Sequence, residues 1–109
     1  MKLVLVCYSG SSASILRDRM LAWARANLLD VEIIVSSLAG LDEDKEDADI
    51  VLVGPQVRCA LASVRERVPE RIPVMAVDTR DYGMAKGDRV MQAALDEIRQ
   101  YKEQKIHME

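Results

Sequence analysis

Four short apolar runs are spaced along the chain, and segments of helical periodicity lie between them. KLVLV (2–6), VEIIV (31–35), DIVLVGP (49–55) and PVMAVD (73–78) are continuous, and the last three are rich in β-branched residues. Runs of this length and composition predict strands of a sheet covered on both faces. From residue 13 the period changes. Ala13, Leu16, Met20, Trp23, Ala24 and Leu28 recur at steps of three and four and line one face of a predicted helix. Ser11 or Ser12 would cap its start, and Asn27 and the segment to Asp30 mark its end. Val57, Ala60, Leu61, Val64 and Val68 form a second helical face, with Pro69 and Pro73 bracketing its exit. Val90, Ala94, Ile98 and Tyr101 form the face of a last helix, expected to run to about Lys102. The acidic segment LDEDKEDAD (41–49) reads as a solvated turn or short helix ahead of the third strand.

Strands alternating with helices imply a single α/β domain, a four-stranded parallel sheet flanked by helices on both faces. Its expected extent is 1–104, with 105–109 as a frayed C-terminal tail. No repeat, linker or low-complexity segment interrupts the pattern.

Composition narrows this picture only a little. A chain of 109 residues, half of them apolar, can bury a core without staples. The net charge of −3 comes from mixed acids and bases, and no basic stripe points to nucleic acid. No run approaches the roughly eighteen apolar residues of a bilayer span, and no signal-peptide pattern opens the chain. A cytoplasmic protein with reduced thiols and no direct membrane insertion is expected. Two cysteines, neither in a CxxC pair, and one histidine make a metal site unlooked-for.

The chemistry concentrates in VLVCYSGSSASIL (4–16). Cys7 stands at the carboxyl end of strand one, the edge where open parallel sheets bind their ligands. The residues after it, Tyr8, Ser9, Gly10, Ser11, Ser12, Ala13 and Ser14, are mostly small and polar and lead into a helix. Gly10 can take backbone angles closed to other residues. Such a loop presents backbone N–H groups and hydroxyls to one point, and a helix N-terminus behind it favours an anion. The same field is expected to lower the Cys7 thiol pKa. A thiolate in a nest of phosphate size suggests phosphoryl transfer through a phosphocysteine. The plainer reading is that a lone cysteine at a strand end is a small buried hydrophobe; Cys59, with no comparable loop, is read that way.

Low-molecular-weight tyrosine phosphatases and arsenate reductases carry an arginine at the sixth position after the cysteine; here that position is Ala13. Without its bidentate grip the loop suits a relay that passes a phosphoryl group on, better than a phosphatase.

LVLVCYSGSSASIL resembles the phosphocysteine loop of enzyme IIB of the bacterial sugar phosphotransferase system, lactose/cellobiose class. Cys7, Gly10, Ser12 and Ser14 fall on that family's pattern. ADIVLVGPQV (48–57) is similar to its third strand and GPQ turn, and VDTRDYGMAKGDRVMQAAL (77–95) to its strand-four exit, Tyr-Gly turn and last helix. Tyr8, Ser11 and Ala13 depart from the residues expected there. The resemblance implies a phosphotransferase component in which Cys7 accepts phosphate from a phosphohistidine on a IIA partner. It then gives the phosphate to a sugar held by a membrane-embedded IIC partner, with no cofactor. Tyr8 to Ser14 would bind the phosphoryl group. Gly54, Pro55 and Gln56, with Asp78 and Thr79, would flank the site. Asp78 would either keep the phosphoryl group labile by repulsion or cap a helix, and Gln56 would either donate to phosphate or stabilise a turn. Arg58 and Arg80 are read as surface charges that could reach the site. A monomer is expected, since one face must serve two partners in turn. The rival readings are a phosphatase- or arsenate-reductase-like enzyme and a regulatory domain that binds an anion or partner without catalysis.

Overall fold

The computed structural model describes residues 1–7 and 10–108, with backbone alone at 10–12 and 105–108. Tyr8, Ser9 and Glu109 lie outside the described residues. The strands are β1 (Lys2–Val6), β2 (Glu32–Ser36), β3 (Ile50–Val53) and β4 (Val74–Ala76). All pair in parallel, in the order β2-β1-β3-β4. β1 is central, with Lys2 opposite Glu32 on one side and Leu3 opposite Ile50 on the other.

Side chains of a strand alternate between faces, and here the alternation sorts the core into two layers. Leu3, Leu5, Ile50 and Leu52 pack on one face with Ala13, Leu16, Met20 and Ala24 of α1 (Gly10–Ala26) and with Val90, Met91, Ala94 and Ile98 of α5 (Gly87–Met108). Val4, Val6, Val51 and Val53 pack on the other with Leu41 of α2 (Leu41–Asp44) and Val64 of α3 (Leu61–Arg67). Each of those eight strand residues is fully buried, which explains why β1 and β3 read as unbroken apolar runs.

The helix ends depart from the sequence reading in ways that have physical causes. α1 begins at Gly10, so Ser11 and Ser12 lie inside its first turn and neither is its N-cap. Periodicity detects a helix only where it buries a face, and the first buried side chain of this one is Ala13. At the other end Leu28, assigned to the buried face, is 93 % exposed. It takes the left-handed φ of 57°, while Leu28 N–H donates to Arg25 O (3.1 Å) and Leu29 N–H to Ala24 O (2.8 Å). This is a Schellman turn, and it turns Leu28 outward and sends Leu29 onto the core.

The second predicted helix is broken. A 3₁₀ segment, Pro55–Ala60, precedes α3, and Val57 within it is non-helical (φ −117°, ψ 19°) because its side chain turns into the core. α3 stops at Arg67; Val68 is extended (φ −94°, ψ 137°), as the residue before Pro69 prefers. A helix too short to show a period, α4 (Thr79–Gly83), fills the Tyr-Gly turn. α5 overruns its expected end at Lys102 and stays helical to Met108, since no glycine or proline interrupts KEQKIHM.

Candidate functional site

The strand ladder runs one residue beyond β1, β3 and β4 and draws four chain segments into a row. Cys7 N–H donates to Ser36 O (2.9 Å), Gly54 N–H to Val6 O (2.9 Å) and Val77 N–H to Val53 O (2.8 Å). Cys7 therefore sits at the carboxyl edge of the central strand. There the chain leaves β1 toward α1 on one face, and β3 toward α3 on the other. This is the switch point at which such sheets bind ligands.

By the i→i−4 rule, the backbone N–H groups of Gly10, Ser11 and Ser12 have no partner within α1, whereas that of Ser14 is committed to Gly10 O. The helix thus narrows the expected row of donors to its first turn. Gly10 opens α1 as its first helical residue. Ala13 is fully buried and its side chain belongs to the core. Tyr8 and Ser9, both assigned to the phosphate loop, lie outside the described residues.

Cys7 is only 4 % exposed and packs with the α1/α5 layer. Burial pushes its thiol pKa up, the opposite direction to the lowering expected from the loop, because the apolar surroundings penalise the charged thiolate. It borders a cavity of about 190 Å³ shared with Ser37, Leu38, Ala39 and Val57. That is roughly six water volumes, ample for a phosphoryl group. The Ser37–Ala39 lip was invisible in the sequence because the loop after β2 carries no chemical signature; the pairing of β2 with β1, continued by the Cys7–Ser36 bond, brings it here.

The flanking residues divide. Gly54 is buried and opens the 3₁₀ segment, with Pro55 at its first position. A Cβ on Gly54 would lie 3.2 Å from Gln56 Oε1, 3.2 Å from Val6 O and 3.4 Å from Tyr82 Cε2. Asp78 caps α4: its Oδ1 accepts from Arg80 N–H (2.9 Å) and Asp81 N–H (3.0 Å). This favours the helix-cap reading over the repulsive one. The Thr79 hydroxyl accepts from the Arg58 guanidinium at 3.5 Å, which joins the 3₁₀ segment to α4 across the same edge. Arg80 is exposed.

The sequence reading missed Tyr82. Asp78 starts α4 so that Tyr82 turns inward, 6 % exposed, into the same apolar layer as Cys7. Burial first, and then the neighbouring Cys7, push its phenol pKa up, with Gln56 opposing. The hydroxyl is wholly buried, and the Gln56 side chain acts on it as a hydrogen-bonding neighbour without reaching full hydrogen-bonding geometry.

Residues 2–93 match the family model described as PTS system, Lactose/Cellobiose specific IIB subunit. The chain belongs to that family. This IIB subunit is a phosphoryl carrier of the sugar phosphotransferase system, a phosphotransferase component for sugars of the lactose/cellobiose class. It is 33 % identical over 98 residues to the galactose-specific EIIB component of Lactococcus lactis subsp. cremoris, covering 84 % of this chain and 91 % of that one. It is also 33 % identical over 95 residues to the oligo-beta-mannoside-specific EIIB component of Bacillus subtilis, covering 86 % and 92 %. The solution structure of the cellobiose-specific IIB protein from Borrelia burgdorferi superposes with a TM-score of 0.77 at 29 % identity, covering 93 % of this chain and 94 % of that one. The lactose-specific IIB domain of Streptococcus pneumoniae shares the fold, with a TM-score of 0.74 at 17 % identity over 89 % and 96 % of the two chains. An EIIB component implies IIA and IIC partners. Among the described residues no helix is long and apolar enough to cross a membrane.

Proposed function

We propose that Cys7 of this IIB subunit takes a phosphoryl group from a phosphohistidine on its IIA partner and delivers it to a sugar held by the membrane-embedded IIC partner. The observation that carries the reading is the placement of Cys7. The thiol ends the central strand at the topological switch point, beside a cavity of about 190 Å³ and next to the first turn of α1. In the forward step the S–P bond forms as the donor's N–P bond breaks. The thiol proton passes to the imidazole nitrogen that lost the phosphoryl group. A neutral, nearly buried thiol suits this exchange, because the donor histidine brings both the electrophile and the base. The N–H groups of Gly10, Ser11 and Ser12, which have no partner within α1, supply donors for the spread phosphoryl charge.

The buried Ala13 in place of a gripping arginine supports a carrier over a phosphatase. The two free thiols, Cys7 and Cys59, support a cytoplasmic setting, and a monomer leaves the site face open to two partners in turn. Relatives equally similar to this chain are named for galactose and oligo-beta-mannoside, which supports placing sugar selectivity in the IIC partner.

The test is incubation with phosphorylated IIA followed by mass spectrometry. Wild type should gain one phosphoryl mass on the peptide holding Cys7, and Cys7→Ser should gain none. Uptake that survives in Cys7→Ser would defeat the proposal.

A further inference from the structure

The hydroxyl of Tyr82 is a polar group that the resting chain leaves poorly paired. It is buried and meets no group in full hydrogen-bonding geometry among the described residues, the Gln56 side chain being a loose neighbour, although a phenol taken into a core ordinarily finds a good partner. Its ring edge reaches the tip of β3: Cε2 comes within 3.4 Å of where a Cβ of Gly54 would sit, and Gly54 is bonded to Val6, the residue before Cys7. The position is held from several sides. Asp78 caps the first turn of α4. Lys86 N–H to Asp81 O (2.8 Å) and Ala85 N–H to Tyr82 O (3.1 Å) close its end, and Arg89 pairs with Asp81 at 3.0 Å. A phenol held this firmly in the layer that contains the nucleophile, with Gln56 as a loose neighbour, fits a donor whose acceptor arrives only during turnover.

We propose that the Tyr82 phenol is a phosphoryl-binding donor, giving its O–H to an oxygen of the phosphoryl group carried on Cys7. This rests on the carrier reading of Cys7. It supplies from the strand-four side part of the grip that an arginine gives in low-molecular-weight tyrosine phosphatases, as a neutral donor. A hydrogen bond without a fixed positive charge holds the group for transfer but does not trap it.

Tyr82→Phe removes the hydroxyl and keeps the ring. Charged on Cys7 by phosphorylated IIA, this variant should accept phosphate roughly tenfold to a hundredfold more slowly than wild type. Its phosphocysteine ³¹P resonance should titrate at a higher pH, because the dianion has lost a donor. Its unphosphorylated form should melt at or above the wild-type temperature, since a poorly paired buried hydroxyl has been removed. In wild type itself, the Tyr82 ring Cζ resonance should shift on phosphorylation as the phenol gains an acceptor. An unchanged ³¹P titration, or an unmoved Tyr82 resonance in the phosphorylated wild type, overturns the role of Tyr82 and leaves the carrier reading standing. No phosphate on wild-type Cys7 overturns both.

Discussion

Gly87 is where α1 and α5 meet backbone to backbone, and replacing it by alanine is a severe test of the packing. The added Cβ would lie 2.5 Å from the Arg19 carbonyl carbon and 2.6 Å from the Met20 nitrogen. Carbon atoms pack at about 3.5–4.0 Å, so the clash is about 1 Å deep. Both atoms belong to helix backbone and neither can rotate away; the helices must part. Parting them loosens Met20, Met91 and Ala94, all fully buried between the layers. Overpacking of this kind costs about 1–3 kcal/mol, and contact with rigid backbone puts it at the upper end. The better helix propensity of alanine returns at most about 1 kcal/mol. The net loss of about 2 kcal/mol should lower Tm by about 8 °C, at about 4 °C per kcal/mol for a domain of this size. Gly83→Ala is the matched control. Nothing lies within 4 Å of its Cβ position and its φ is not positive. The same substitution there should stabilise by about 0.4–1 kcal/mol and raise Tm by about 2–4 °C. Differential scanning calorimetry reads both. If Gly87→Ala melts with wild type, or if both variants shift in the same direction, the close approach of α1 and α5 is not what the glycine serves.

Leu28→Gly should stabilise by about 1 kcal/mol, since it relieves a left-handed residue whose side chain, 93 % exposed, has little packing to lose; urea unfolding at constant m-value checks this. The raised pKa of Cys7 predicts that iodoacetamide labels the exposed Cys59 before Cys7 at pH 7, and that Cys7 labelling accelerates steeply as pH rises; equal rates would contradict its burial. For the same thiol, the unfolded chain releases its proton first, so stability should fall as pH climbs past the ordinary thiol value of about 8.5. Cys7→Ala should flatten that part of the Tm–pH curve. Asp42 has its carboxyl pKa lowered by hydrogen bonds from Arg67 and then Lys45. Its contribution is therefore present above the usual carboxylate pKa of about 3.9 and lost as pH falls below it. Asp42→Asn should reduce the acid limb of the Tm–pH curve at low salt, and added salt should erase the difference.

What the amino-acid order determined by itself is the part of this protein that depends on local period and local chemistry. LVLV (3–6) and IVLV (50–53) are apolar at every position, and strands with no polar face call for a sheet covered on both sides. Alternation of such strands with period-3.6 segments then leaves one architecture. The cysteine, the small residues after it and the absent arginine were legible because they are neighbours in sequence. The contacts that make the site are not. Tyr82 joins the layer of Cys7 because Asp78 caps a helix too short to show a period, and the Ser37–Ala39 lip reaches the thiol because β1 and β2 pair in register up to Cys7 and Ser36. The sign of the Cys7 pKa shift was decided in the same way. The helix field is encoded in the adjacent residues, but burial depends on how the layer that holds Leu5, Ala13 and Tyr82 packs with Cys7. Helix ends followed tertiary demands as well: α1 starts before its apolar face begins, and Leu28 turns out to solvent because a Schellman turn places it there. Local pattern specifies elements; which side chains become neighbours, and how much water is left between them, is set only when the layers close.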